Sequence, residues 1–276
     1  MNLQKLADLH IHTYYSDGTS SPQEVVQDAL AAGLSCIAIT DHDVLDGVKP
    51  TQQAAQGRGL EVVSGIELSS EIGGKDIHIL GYFIDCQKGP LVDQLGAIQE
   101  ARIERIKKMI AKLGEMKIGP IALEEVCALS QSRAVGRPHL AAILYKKGFV
   151  SSIKEAFDKY IGEGSPAYFT KYGQTPYEAI QLIKKSGGLA VMAHPMLTQR
   201  DELIPGFVEA GLDGIEVYYP NCSDNVIKFY EGIAQKHKLL TTGGSDAHGK
   251  AKDYTYIGKR TIPYELVERM KDVVGI

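Results

Sequence analysis

Short apolar runs alternate with amphipathic stretches along most of this 276-residue chain, and that rhythm limits the possible fold more than any other feature. Runs near 6–12, 35–40, 60–66, 76–84, 188–194, 213–219 and 239–245 have the length and side-chain character of buried strands. Helix starts between them carry their own chemistry. "SPQE" at 21–24 offers a serine N-cap, a proline at N1 and a glutamate at N3, and "TPYE" at 175–178 repeats the device. Such alternation predicts an α/β fold, with mostly parallel strands forming a barrel-like core.

The rhythm stops between 91 and 165. Leu91, Leu95, Ile98, Ile106, Ile110 and Leu113 recur there at helical spacing, and "SSIKEAFDKYIG" at 151–162 reads as another capped helix. The chain therefore divides into a first barrel part at 1–90, a helical insertion at 91–165 acting as a substrate cap, and a second barrel part at 166–276. Arg102, Arg105, Lys107, Lys108 and Lys112 fall largely elsewhere around the first inserted helix, and this basic face is expected to be solvated.

A formal net charge of -4 argues against a general nucleic-acid binder, so no long-duplex binding is expected. No apolar run reaches the ~18 residues of a membrane span, and "MNLQKLADLH" lacks the apolar core of a signal peptide. Cys36, Cys86, Cys127 and Cys222 show no metal-binding spacing and read as buried thiols in a reducing, cytoplasmic setting.

Histidine placement carries the chemistry. Residues i and i+2 of a strand share a face, so His10 and His12 in "DLHIHTYYSDG" project together while Leu9 and Ile11 face away. His42 follows a strand in "ITDHD", Glu67 lies in "GIELS", and His78 lies in "IHILGY". His194 closes "AHP", while Asp246 and His248 lie in "SDAH". Nearly all stand at or near the C-terminal ends of predicted strands, which converge on one face of a barrel. Six of the eight histidines are thus expected at one mouth with Asp17, Glu67 and Asp246. Desolvating so many polar groups is costly unless cations bind them. The mixed nitrogen and oxygen set exceeds one tetrahedral ion and suits a polynuclear manganese, zinc or iron site. Glu216 is expected behind the cluster, Asp41 and Asp43 to orient His42 or its loop, Tyr218 and Tyr219 to pack, and His237 to end a helix.

These motifs resemble the PHP (polymerase and histidinol phosphatase) family across both halves of the barrel. The resemblance implies a distorted seven-stranded (β/α)7 barrel with an inserted helical subdomain and three divalent cations, manganese first, with zinc or iron as alternatives. Carried over residue by residue, it implies that His10, His12, Glu67 and Asp246 hold one ion. Glu67, His78 and His194 would hold a second, and Asp17, His42 and His248 a third. Asp17 stands where histidinol-phosphatase-like members have histidine. "YSDG" with an insertion is similar to the branch of nucleoside 3',5'-bisphosphate phosphatases and 5'-to-3' exoribonuclease-like enzymes. "GRPH" at 136–139 belongs to the same resemblance and implies that Arg137 and His139 grip a phosphate, with Lys171 and Arg200 as further candidates.

The reaction so implied is hydrolysis of a 5'-phosphate, on nucleoside 3',5'-bisphosphates or 5' ends of short RNA, by a metal-bridging hydroxide. Asp246 and His248 are the catalytic candidates, with His248 or a metal-bound water protonating the leaving oxygen. A small-molecule phosphatase of the histidinol-phosphatase type, a metal-dependent amidohydrolase and a non-catalytic metal-binding module are the alternatives.

Overall fold

The computed structural model describes residues 4–170, 174–252 and 255–276. Seven strands follow one another around a distorted barrel: β1 (Leu6–Ile11), β2 (Cys36–Ile39), β3 (Glu61–Ile72), β4 (Lys75–Tyr82), β5 (Leu189–Met192), β6 (Gly214–Tyr218) and β7 (Leu240–Gly243). A short β8 (Ile262–Pro263) pairs antiparallel with the start of β1, an element the strand rhythm did not reveal. Helices α1 (Pro22–Ala31) and α2 (Val48–Ala55) cross between the first three strands. After the insertion, α7 (Pro176–Lys185) leads into β5. The short α8 (Pro195–Thr198) and α9 (Ile204–Glu209) precede β6, α10 (Asp224–His237) precedes β7, and α11 (Tyr264–Val274) ends the chain. The "SPQE" and "TPYE" caps form as expected, each with reciprocal serine or threonine and glutamate hydrogen bonds.

Two departures from a parallel, regularly alternating barrel set up the site. First, β4 runs antiparallel to both β3 and β5. Gly73 and Gly74, both at positive φ (59° and 77°), form the two-residue connection between β3 and β4. Such a turn returns the chain directly as a hairpin, leaving no room for a crossover helix. His78 therefore reaches the mouth from the first half of its strand, and Glu67 lies in the middle of a long β3.

Second, β1 carries a bulge. Asp8 pairs with Ile37 and Ile11 with Ile39, so three steps on β1 match two on β2. Leu9 consequently packs in the barrel interior with Leu80, Tyr82 and Val191, while Ile11 packs outward among helix-facing residues. The expected shared face of Leu9 and Ile11 is thus corrected, although His10 and His12 stay together with ring centroids 5.1 Å apart.

An apolar interior of Ala7, Cys36, Val63, Tyr82 and Leu189, continued by Val267 and Met270 of α11, fills the barrel below the mouth. The ring closes above it. His12 N donates to the Ala247 carbonyl (2.9 Å) and Ser245 N to Asp8 Oδ1 (2.8 Å). Closure needs Gly244, where a Cβ would stand 2.4 Å from His10 N. Gly244→Ala is expected to destabilise the protein by about 1–3 kcal/mol, because backbone on both sides must part. A urea midpoint unchanged from wild type would show that the strand ends separate freely.

Between β4 and α7 lie α3 (Pro90–Glu115), α4 (Leu123–Cys127), α5 (Arg137–Lys146), α6 (Ile153–Ala156) and a π-helical turn at Phe157–Ile161, with no strand among the described residues. The 26-residue α3 joins two cores. Leu91 and Leu95 pack with the barrel helices, whereas Ile106, Met109 and Leu113 pack with Val126, Leu140 and Leu144 in a separate cluster. The four cysteines are free, but only Cys36 is fully buried, so the reading of all four as core thiols is corrected. Among the described residues, no helix is long and apolar enough to cross a membrane.

Candidate metal centre and substrate cavity

Glu67 sits at the centre of the mouth, 1% exposed. Its Oε2 lies 3.3 Å from His10 Nε2, 3.1 Å from His12 Nε2 and 3.2 Å from His42 Nδ1. Its Oε1 lies 2.8 Å from His78 Nδ1 and 3.1 Å from His194 Nε2. Backbone pairing holds this register: Glu67 N donates to the Asp41 carbonyl and Asp43 N to the Glu67 carbonyl, locking the His42 segment beside β3.

Asp246 Oδ1 faces His12 Nε2 (3.3 Å), His10 Nε2 (3.5 Å) and His248 Nδ1 (3.5 Å). Asp17 Oδ1 lies 3.4 Å from His248 Nε2 and 3.7 Å from His12 Nδ1, and its Oδ2 lies 3.8 Å from His42 Nε2. All nine side chains expected at the mouth are therefore brought together. Donor atoms of His10, His12, Glu67 and Asp246 lie within 4.8 Å of one another, as do those of His12, Asp17, His42 and His248, and those of His42, Glu67 and His78.

The donor set fits divalent cations on a physical ground. His12 Nδ1 and Nε2, Asp17 Oδ1, His42 Nδ1, His194 Nδ1 and His248 Nε2 are buried without a hydrogen-bond partner. Buried polar atoms are normally satisfied, and those of His12, Asp17, His42 and His248, gathered within 4.8 Å of one another, suit a cation. Protonation follows the same logic. Burial pushes the Glu67 carboxyl up, but His42, His78 and His10 outweigh it and hold it well below the usual carboxylate range. Burial likewise opposes ionisation of Asp17 and Asp246, but the imidazoles around Asp17, and Lys252 with His248 and His10 beside Asp246, hold both carboxyls well below the usual range. His12 is pulled down by burial yet raised to about 9 by Asp246 and Glu67, while burial holds His42 well below the ordinary imidazole value. Protons on some imidazoles thus balance the carboxylates, and a bound cation would take over that charge.

A layer of supporting residues aims these groups. Glu216 accepts from His10 Nδ1 (2.9 Å) and from His194 N (2.8 Å), which leaves His10 Nε2 directed at Glu67 and Asp246. His194 and Asp246 hold positive φ (28° and 49°), a backbone cost of order 1–3 kcal/mol each. Asp41 accepts from Thr13 N, Thr13 Oγ1 and Ser16 Oγ, so it orients the loop before Asp17. Tyr219, read as packing, instead donates its hydroxyl to Asp246 Oδ2 (2.8 Å), and Lys252 Nζ stands 3.0 Å from the same oxygen. Tyr219 follows a strand ending at the mouth, which was a usable signal; Lys252 carried none. His237 ends α10 as expected.

Above the cluster lies a cavity of about 910 Å³. Asp17, His42, His78 and His248 of the cluster line it, together with Arg102, Arg105, Arg137, Tyr177, Lys185 and Lys252. Two arginines expected in solvent thus face inward: Arg102 pairs with Asp43 and bonds Ser69 Oγ, while Arg105 is only 8% exposed. The signal was present, since 91, 95, 98, 102, 105, 109 and 113 form one helical stripe. Arg105 Nε donates to the Phe169 carbonyl (2.6 Å), its guanidinium stands over Tyr168, and Nη2 is buried without a hydrogen-bond partner.

The phosphate-binding candidates fare unequally. Arg137 lines the cavity, paired with Asp76 and stacked near Phe157 and Tyr168. His139 is corrected. Its Nδ1 accepts from Gly136 N (3.0 Å) and its Nε2 donates to the Ser16 carbonyl (2.8 Å), so neither nitrogen is available to an anion. Arg200 pairs with Glu202 and is not among the residues that line this cavity. Lys171 lies outside the described residues.

A family model described as "PHP domain" matches residues 8–234. The chain is 32% identical over 256 residues to a 3',5'-nucleoside bisphosphate phosphatase of Chromobacterium violaceum, covering 91% of this chain and 90% of that protein. It is 33% identical over 254 residues to the 5'-3' exoribonuclease Rnm of Escherichia coli, covering 90% and 86% respectively. Among solved structures, a candidate metal-dependent phosphoesterase of Bifidobacterium adolescentis superposes with a TM-score of 0.88 at 30% identity, covering 96% of this chain and 95% of that one.

Proposed function

Because this chain belongs to the PHP domain family and is a metal-dependent phosphoester hydrolase, we propose that it removes the 5'-phosphate of nucleoside 3',5'-bisphosphates or of short RNA 5' ends. One observation carries the choice of substrate. The cavity is lined both by the carboxylate–imidazole cluster and by a buried, incompletely partnered Arg105 beside Arg137, so two separate groups of residues on its wall can each take an anion. A ligand with two anionic groups would satisfy both sets, and a nucleoside bearing two phosphates has that form.

In this reading His10, His12, Glu67 and Asp246 hold one cation, Glu67 with His78 and His194 a second, and Asp17 with His42 and His248 a third. Manganese is the first choice, with zinc or iron as alternatives. Bound divalent cations supply water activation near neutral pH and neutralise phosphate oxygens. The chain's own groups do the rest. Arg105 and Arg137 grip the remote phosphate, and Asp76 keeps Arg137 in place. Tyr219 and Lys252 hold Asp246 Oδ2, so that Oδ1 points at His10, His12 and His248. His248 Nδ1 donates to the Asp246 carbonyl (2.8 Å), which leaves Nε2 as a lone pair facing Asp17. That tautomer suits His248 to holding a cation and not to protonating a leaving oxygen. The free thiols support a reducing, cytoplasmic setting.

The test is a turnover screen of metal-reconstituted protein with nucleoside 3',5'-bisphosphates, short 5'-phosphorylated RNA, histidinol phosphate and dipeptides. Release of phosphate or nucleotide from the first two is expected. Turnover confined to histidinol phosphate or dipeptides would overturn the proposal.

A further inference from the structure

The loop carrying Asp17 is held from two sides. On the barrel side, Asp41 ties down Thr13 and the Ser16 hydroxyl. On the other side, three consecutive carbonyls of the loop accept hydrogen bonds from the insertion. Gln131 N donates to the Tyr14 carbonyl (3.0 Å), the hydroxyls of Ser130 and Ser132 to the Tyr15 carbonyl, and His139 Nε2 to the Ser16 carbonyl (2.8 Å).

His139 is built for this contact. It is 5% exposed, and the Gly136 N–H donating to its Nδ1 requires that nitrogen to be unprotonated. The proton must then sit on Nε2, which points at Ser16. The loop itself is compact: Gly18 N returns to the Thr13 carbonyl, and a Cβ on Gly18 would stand 2.5 Å from the His12 carbonyl oxygen. Displacing the Ser16 carbonyl therefore displaces the Asp17 carboxylate next to it. Asp17 approaches its imidazole neighbours at only 3.4 to 3.8 Å, so the loop backbone sets where that carboxylate stands.

We propose that His139 is a positioning residue for the metal centre, through which the helical insertion fixes Asp17 and so sets the affinity of the Asp17–His42–His248 cation site. This inference rests on the metal-centre reading above. It gives the insertion a second task beside covering the cavity, and it replaces phosphate gripping as the role of His139.

Mn²⁺ titration of the metal-free full-length protein, followed by equilibrium dialysis and metal analysis, tests it. In His139→Ala, the Mn²⁺ site that Asp17→Asn also weakens is expected to lose about 10-fold or more in affinity, as when a residue orienting a ligand is removed. KM for every substrate should stay near wild type, and kcat should recover at high Mn²⁺. His139→Gln, whose amide can again donate to the Ser16 carbonyl, should restore most of the affinity. A folded His139→Ala with wild-type Mn²⁺ binding overturns the inference. So does a loss confined to KM for substrates with a second phosphate, which would make His139 a phosphate ligand. If thermal melting shows His139→Ala unfolded, the Ser130→Ala/Ser132→Ala double variant takes its place, with a smaller shift in the same site expected. Wild-type binding in that variant also overturns the inference. Wild-type protein that takes up no Mn²⁺, Zn²⁺ or Fe²⁺ would instead bring down the metal-centre reading itself.

Discussion

Glu67→Gln loses bound metal and turnover together, and by more than the roughly 100-fold typical of removing a residue that merely supports a metal ligand. Five imidazoles surround this one carboxylate, three on Oε2 and two on Oε1. An amide keeps the shape but puts an N–H₂ group where a lone pair served two or three histidines, and it removes the charge that favours cations. The substitution also changes the metal-free protein. Glu67 is held well below the usual carboxylate range, so its stabilising contribution is present above that range and lost as pH falls through the folded-state value. Melting of metal-free Glu67→Gln should therefore respond less to acidification than wild type does. Metal analysis, kcat and melting against pH check the three parts. Metal content and kcat within a few-fold of wild type would sink the central role given to Glu67.

Arg105→Met raises KM for a nucleoside 3',5'-bisphosphate by about 10–100-fold, with kcat changed only a few-fold. A hydrogen bond to a charged group contributes about 1.5–3 kcal/mol, and each 1.4 kcal/mol is a factor of ten. Methionine keeps much of the apolar stem in a position that is 8% exposed, so the packing of α3 survives. The Phe169 carbonyl loses its donor, which costs about 1–3 kcal/mol of stability without unfolding the chain. A nucleoside 5'-monophosphate supplies the control, because its KM should not move. Equal shifts for both substrates would place Arg105 in general support of the cavity, and no shift would remove it from recognition.

Much of the barrel was legible because strand length, apolar content and capping residues are local properties. All seven main strands lie where short apolar runs predicted them, and both reciprocal caps form. The clustering of His10, His12, Asp17, His42, Glu67, His78, His194, Asp246 and His248 was legible for a related reason. Strand ends in a closed sheet have few places to go, so polar residues on them meet.

The missed features depend on relations between distant segments. The Gly73–Gly74 turn was a readable hairpin signal, but its consequence, that His78 enters from an antiparallel strand, needs the sheet around it. The β1 bulge exists only against the register of β2. Arg102 and Arg105 stood in the apolar stripe of α3, yet arginine in such a stripe is buried only when partners such as Asp43 and the Phe169 carbonyl are delivered by other elements. His139 illustrates the point most sharply. Its place at the start of a helix beside Arg137 suggested an anion site, whereas its two ring nitrogens are committed to Gly136 and Ser16.

Residue chemistry and spacing alone decided that this chain forms an α/β barrel whose histidines and carboxylates gather at one mouth. Short-range preferences of backbone and side chain are enough for that. Only the packed structure decided which lone pairs are left without a proton donor, which arginines face the cavity, and that the insertion grips the Asp17 loop. Those outcomes turn on hydrogen-bond directions and contacts between residues far apart in the chain, which no local pattern encodes.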